Sequence, residues 1–176
     1  EHSESGADVT IGCIEVPRME AKGFGVMSVN ENLEITKFTE KPADPEAMPG
    51  KPDKALASMG IYVFSTEFLF QKLIEDADDP NSSRDFGKDI IPSVIEDYQV
   101  RAFTFEDKQK RPIYWRDVGT IESFWKANLD LCSVTPELNL YNGDWPIWTY
   151  QAQMPPAKFI FDDEGGRGEA IDSLIA

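Results

Sequence analysis

The sequence predicts an α/β domain on a largely parallel or mixed sheet, and three observations carry that expectation. Residues 8–16 and 55–64 are nearly continuous apolar, β-branched runs, the pattern of strands covered on both faces. Apolar residues recur at helical spacing over residues 68–76 and again over 121–129. Strands and helices alternate up to residue 132, after which the texture of the chain changes.

The first six residues read as the end of a helix running into the strand at 8–16. Residues 24–29 and 33–38 flank Asn30-Glu31-Asn32 and form a hairpin with a short polar connection. Residues 42–52 carry prolines at 42, 45, 49 and 52, which lack amide donors, so this stretch is a surface loop. Residues 55–64 give a buried strand. Ser65 or Thr66 then caps a helix that sets Phe68, Leu69, Lys72, Leu73 and Asp76 on successive turns. The polar run 78–83 breaks it, and a second helix starts near Phe86 or Asp89 with Ile90, Ile91, Val94 and Ile95 as its stripe. Residues 100–105 alternate as a strand, 114–118 give a further short strand, and Thr120 caps a helix. In that last helix Ile121, Phe124, Trp125, Asn128 and Leu129 share a face.

This organisation divides the chain into a domain over 1–132, a linker over 133–156 and the beginning of a second, all-β unit over 157–176. The linker mixes Pro136, Pro146, Pro155 and Pro156 with Trp145, Trp148 and Tyr150, a composition that packs against something and has no helical period. Residues 157–161 and 169–176 look like the first short strands of the second unit, and Asp162-Asp163-Glu164 with Gly165-Gly166 like one of its solvated loops. Both ends of the sequence look cut: it starts on Glu1 inside a helix-like run and stops inside a strand-like one.

With 17 basic and 32 acidic residues the formal charge is −15, so a general nucleic-acid or anionic-membrane surface is disfavoured by repulsion. An anionic substrate has to be met locally, by a lysine in a cleft, by amides or by a divalent metal. Cys13 and Cys132 have no metal or redox spacing and read as buried thiols of a reducing cytosol. The chain shows neither a signal peptide nor an apolar run of membrane-spanning length, about 18 residues. His2, the one histidine, receives no catalytic role.

Five residues stand out chemically. Lys41 follows a strand, where its ammonium can meet a phosphate while Glu40 offers carboxylate lone pairs to paired sugar hydroxyls. Taken alone, Glu-Lys-Pro after a strand is more often an ordinary strand exit. Gly25 sits inside a strand pattern, where glycine marks a bulge or a close backbone approach. Ser58 lies in a buried strand, so its hydroxyl needs a backbone carbonyl or a ligand as partner. Asp117 stands at a strand-to-helix turn, where a carboxylate either orders helix amides or serves Mg²⁺ as a hard oxygen ligand, with Arg116 beside it as a candidate ion-pair partner.

Six segments in order, FGVM (24–27), FTEKP (38–42), ALASMGIYVF (55–64), DDPNSSRDFGKDIIP (78–92), YWRDVGT (114–120) and PELNLYNGDWPIWTYQ (136–151), closely resemble the bacterial glucose-1-phosphate adenylyltransferases, or ADP-glucose pyrophosphorylases. The resemblance covers essentially the whole chain. It implies a Rossmann-like nucleotidyltransferase domain with a mixed, mostly parallel sheet, followed by a left-handed parallel β-helix, in a cytoplasmic, allosteric homotetramer. It implies the committed reaction of glycogen synthesis, in which ATP and α-D-glucose 1-phosphate give ADP-glucose and diphosphate. In that pattern Gly25, Glu40, Lys41 and Ser58 hold glucose 1-phosphate, and Asp117 is catalytic and holds Mg²⁺ together with a second aspartate.

The departure from the family pattern lies in what these residues lack. The glycine-rich GGxGxRL segment that carries the nucleotide phosphates is absent, as are the second metal aspartate, the regulatory basic residues and most of the β-helix. The chain is therefore expected to be the middle of an enzyme, carrying the sugar-phosphate site and one metal ligand, inactive by itself. Two alternatives stand beside this reading: a non-catalytic sugar-phosphate-binding regulatory subunit, and a thymidylyl-, uridylyl- or guanylyltransferase of the same fold.

Overall fold

The computed structural model describes residues 1–107, 111–144, 146–148, 150, 152–160 and 168–175. The chain divides into two compact units, Glu1–Ile113 and Tyr114–Ala176.

The first unit is a five-stranded sheet. After a short helix α1 (His2–Ser5), β1 (Val9–Pro17), β2 (Gly25–Val29), β3 (Ile35–Glu40), β4 (Lys54–Phe64) and β5 (Val100–Thr104) stand in the order β3-β2-β4-β1-β5. β1 is buried along almost all of its length, as its unbroken apolar run demands, because it lies between β4 and β5 with both faces covered. The β2–β3 hairpin turns where its sequence says it should. The Asn30 side chain accepts the amides of Asn32 at 2.9 Å and Glu34 at 3.0 Å, closing a local turn in place of ladder bonds.

The sheet is mixed, but the expectation of mostly parallel pairing is corrected. Among the described residues only β1–β5 is parallel, while β1–β4, β2–β3 and β2–β4 are antiparallel. Parallel neighbours need a long crossover, usually a helix. The connections among β1, β2, β3 and β4 carry no α-helix. The helices α2 (Thr66–Asp78) and α3 (Ile91–Val94) fall between β4 and β5.

The β1–β4 ladder is interrupted at one point. Gly12 pairs with Ile61 and Cys13 with Ser58, so Met59 and Gly60 are an insertion in β4, with Gly60 at φ 70°. Two extra residues leave the parity of the strand unchanged. Leu56, Ser58, Tyr62 and Phe64 therefore share one face, the face on which Val9, Ile11, Cys13, Met27, Phe38 and Leu56 meet Phe68 of α2 and Ile91 and Val94 of α3. On the opposite face Ile61 and Val63 are exposed, so the expectation of a strand buried throughout holds only for the first half of β4.

The second expected helix begins as a π-helical turn, Phe86–Ile90, and continues as α3. Its stripe faces the core as expected: Ile90, Ile91 and Val94 are buried. In α2 only Phe68 is buried, packed on Phe64 and edge-on to Tyr98 at 4.8 Å, while Leu73 is exposed.

In the second unit, α4 (Ile121–Asp130) forms behind its expected cap, Thr120, whose hydroxyl accepts the Ser123 amide at 3.1 Å. Its stripe of Ile121, Phe124, Trp125 and Leu129 is exposed. Residues 114–118 are not the expected strand: no ladder partner forms among the described residues, and a turn closed by the Asp117 side chain leads into α4 instead. Ile147, Trp148 and Tyr150 are exposed, not packed, and Trp145 lies outside the described residues. The expected strands at 157–161 and 169–176 do not form among the described residues. The Gly168 amide, just before the second of these segments, donates to the Ile160 carbonyl of the first at 3.0 Å. Phe161, Asp162-Asp163-Glu164, Gly165, Gly166 and Ala176 lie outside the described residues.

Candidate functional site

Sheet register gathers most of the singled-out residues into a single row. Gly25 is paired directly with Glu40 across β2 and β3, and the β2–β4 register of Val26 with Ala57 carries the row on to Ser58, itself paired with Cys13 of β1. Glu40, Gly25, Ser58 and Cys13 thus cross four adjacent strands on the helix-bearing face. A cross-strand row of this kind is the unit in which neighbouring side chains of a sheet meet.

Within the row the Glu40 carboxylate occupies a slot between two glycines. A Cβ on Gly25 would stand 3.0 Å from Glu40 Oε2 and closer still to the Phe38 ring; a Cβ on Gly87 would stand 2.8 Å from Glu40 Oε2. The group that closes on the Gly25 backbone is therefore protein, the Phe38 ring and the Glu40 carboxylate. Gly87 comes from the π-helical turn, and its placement is fixed locally. The Asp85 carboxylate accepts the amides of Gly87 at 2.8 Å and Lys88 at 3.0 Å, while Asp89 accepts the amides of Ser83 at 3.1 Å and Asp85 at 3.0 Å. Arg84, at φ 64°, donates to the carbonyls of Asp76, Ala77 and Asp79 at the end of α2, tying this turn to the helix before it.

Lys41 ends β3, as its sequence position indicates. Its amide donates to the Phe24 carbonyl at 3.0 Å, its φ is 46°, and it precedes Pro42, a neighbour that ordinarily drives a residue to extended backbone. The side chain is 66% exposed and its Nζ lies 3.8 Å from Glu40 Oε1, whose own side chain is only 23% exposed. An accessible ammonium thus stands beside a sheltered carboxylate. The Ser58 hydroxyl accepts the Gly60 amide at 3.2 Å, within the strand irregularity, and also meets the Tyr62 hydroxyl.

Tyr62 belongs to the same cluster. Its ring stacks on Phe86 with centroids 5.7 Å apart. Burial holds its hydroxyl above the ordinary tyrosine value; a hydrogen bond with Ser58 opposes the shift, and the charges of Glu40 and Asp85 add to it. Sequence reasoning missed Tyr62, Asp85 and Gly87. Asp85 and Gly87 lie in a segment already marked by its motif, but it read as a helix start. Tyr62 read as one more residue of a buried strand.

Asp117 lies in the second unit. It is exposed, and its Oδ1 accepts the Gly119 amide at 3.0 Å, which orders the turn into α4. Arg116 does not pair with it: the guanidinium reaches Asp130, the last residue of α4, at 2.8 Å. Among the described residues no group of three or more histidine, cysteine, aspartate or glutamate side chains converges to hold a metal. The cysteines differ. Cys13 is buried and burial pushes its thiol up to about 12, whereas Cys132 is half-buried, which corrects the expectation for it.

Comparison with known proteins supplies the family. A family model described as nucleotidyl transferase matches residues 1–134. The chain belongs to the nucleotidyl transferase family. It is 85% identical over its full length to a glucose-1-phosphate adenylyltransferase of Hydrogenovibrio crunogenus, and 63% and 62% identical over 99% of its length to those of Thiobacillus denitrificans and Nitrosococcus oceani. The chain spans 40% to 42% of the length of these relatives. The sequence-level resemblance is thereby borne out at the level of the family and of its named relatives.

Proposed function

We propose that the protein to which these residues belong is a glucose-1-phosphate adenylyltransferase, joining ATP and α-D-glucose 1-phosphate to give ADP-glucose and diphosphate for glycogen synthesis. The observation that carries the reading is the 85% identity, over the whole chain, to a protein of that name. The site supports it chemically. The attacking phosphate oxygen is already an anion, so the barrier lies in bringing two polyanions together and in the charge that grows on the leaving diphosphate. An accessible lysine in a chain of charge −15 addresses the first of these costs.

In this reading Lys41 contacts the phosphate of glucose 1-phosphate. The sheltered Glu40 accepts from sugar hydroxyls, Ser58 completes that side of the sugar, and Gly25, by lacking a side chain, leaves the room in which the Glu40 carboxylate stands beside it. Glu40, Asp85 and the Tyr62 hydroxyl give the patch many acceptors and one donor, which suits a polyhydroxylated ligand. Residues 1–132 form part of the catalytic domain, 133–156 the linker and 157–176 the start of a left-handed β-helix.

Mg²⁺ fits the donor chemistry of Asp117, because this ion is commonly bound by one or two carboxylates together with substrate phosphates and waters. Asp117 is an exposed hard oxygen donor on a turn already ordered through Gly119, so these residues supply one ligand to a shared site. Bound there, the ion would neutralise charge on the nucleotide phosphates. The assembly is a cytoplasmic, allosterically regulated homotetramer in this reading, and the 176 residues alone, with one metal carboxylate and no glycine-rich phosphate loop in their sequence, give no turnover.

The test is diphosphate release by the purified full-length protein, with product identification. The reading requires release that depends on ATP, glucose 1-phosphate and Mg²⁺ together, with ADP-glucose formed. Faster turnover with dTTP, UTP or GTP, or binding of glucose 1-phosphate without turnover, would replace it by one of the alternatives.

A further inference from the structure

The Glu40 slot has two walls of different kinds. Gly25 belongs to the sheet, and its missing side chain makes room chiefly for the Phe38 ring. Gly87 belongs to the turn lying over the sheet. The nearest atoms to a Cβ there are Glu40 Oε2 at 2.8 Å, then Glu40 Cδ and Asp85 Oδ1, both at 3.4 Å. Gly87 is buried and is not among the glycines with positive φ, so its backbone is one that alanine adopts freely. Conformation therefore does not call for glycine at this position. Space for one carboxylate does.

The turn cannot easily withdraw to make that space. Asp85 holds the Gly87 and Lys88 amides, Asp89 holds the Ser83 and Asp85 amides, and Arg84 fixes the segment to the end of α2. A methyl group on residue 87 would have to be accommodated by the flexible end of Glu40 and not by the backbone. With Gly25 occupying the other wall, the carboxylate would have to shift from its place in the slot.

We propose that Gly87 is a positioning residue for Glu40, setting the orientation of its carboxylate and through it the sugar selectivity of the site. This rests on the reading of Glu40 as the acceptor of sugar hydroxyls. A carboxylate confined between two glycines presents its lone pairs in one direction. A hydroxyl set with one epimeric centre inverted then meets an unpaired acceptor, the kind of mismatch by which polar sites discriminate strongly.

The experiment uses the full-length protein carrying Gly87→Ala, Glu40→Asp and both together. KM for glucose 1-phosphate and for ATP, kcat, thermal unfolding, and the ratio of kcat/KM for glucose 1-phosphate to that for galactose 1-phosphate are measured. Gly87→Ala is expected to raise KM for glucose 1-phosphate about tenfold and lower the selectivity ratio, with KM for ATP within about twofold, the size of one lost charge-assisted hydrogen bond. Glu40→Asp withdraws the carboxylate by one methylene, so adding Gly87→Ala to it is expected to cost little more, making the pair strongly non-additive. Unchanged KM and selectivity in Gly87→Ala, or effects that simply multiply in the double variant, overturn the proposal. If Glu40→Asp alone leaves glucose 1-phosphate kinetics unchanged, the reading of Glu40 fails and this inference with it. If only Gly87→Ala is silent, the inference alone fails. Should Gly87→Ala not fold, recovery of folding in the double variant supports the contact, and failure of both shows that something other than Glu40 refuses the methyl group.

Discussion

Gly25 and Glu40 face each other directly across β2 and β3, and the carboxylate of the second fills space that a side chain on the first would occupy. The same space is shared with the Phe38 ring, which is buried in the core. One glycine therefore serves both packing and the proposed site.

Gly25→Ala is accordingly expected to cost stability, in contrast to alanine at position 87. The methyl group meets a core ring that has little room to move, an overpacking that typically costs about 1–3 kcal/mol. Denaturant unfolding of the full-length variant measures it. A midpoint equal to that of the parent protein would show that the Phe38 ring swings aside freely.

Lys41→Ala is expected to raise the KM for glucose 1-phosphate far more than that for ATP. The ammonium is accessible at the end of β3 beside Glu40, and one charge-assisted phosphate contact is worth about 1.5–3 kcal/mol. Steady-state kinetics with each substrate varied in turn decides it, and equal effects on both would remove Lys41 from the sugar-phosphate site.

Asp117→Asn is expected to lower kcat and to raise the Mg²⁺ concentration giving half-maximal rate, because an amide is a poorer ligand for a hard cation at nearly the same shape. The amide oxygen can still accept the Gly119 amide that Asp117 now holds at 3.0 Å, so the turn should survive. Normal kcat with unaltered Mg²⁺ dependence would reduce Asp117 to a residue that orders the start of α4.

The Cys13 thiol should be inert where Cys132 is not. Burial raises Cys13 from 9.0 to about 12, with the charges of Glu106 and Glu15 adding to the shift. Only the thiolate reacts. At pH 8, iodoacetamide followed by peptide mass mapping is expected to label Cys132 well before Cys13 in the folded protein. The same shift fixes a sign for stability. Below about pH 8 both folded and unfolded chains keep the Cys13 proton. Between 9.0 and 12 the unfolded chain has lost it and the folded chain has not, so stability falls as pH rises through that window. Cys13→Ala should remove this part of the alkaline decline, and an unchanged decline would mean that Cys13 does not titrate as its burial requires.

Sequence by itself determined the elements whose cause is local. The run from Val9 to Val16 could only be a covered strand. Asn30 closes its hairpin through its own side chain, and Thr120 starts α4 through its hydroxyl, all within a few residues of chain. The placement of Lys41 at a strand end was legible for the same reason. Tertiary structure decided what depends on which strands become neighbours. Mostly antiparallel pairing stands where a mixed, mostly parallel sheet was expected, because register and direction are set by connections between distant segments, not by apolar pattern. The two-residue insertion at Met59 and Gly60 kept Ser58 and Tyr62 on one face, a matter of ladder partners that strand periodicity alone cannot reveal. Gly87 became a wall of the Glu40 slot only when the turn after α2 was laid over the sheet, bringing together residues 47 positions apart in sequence whose contact no local pattern encodes.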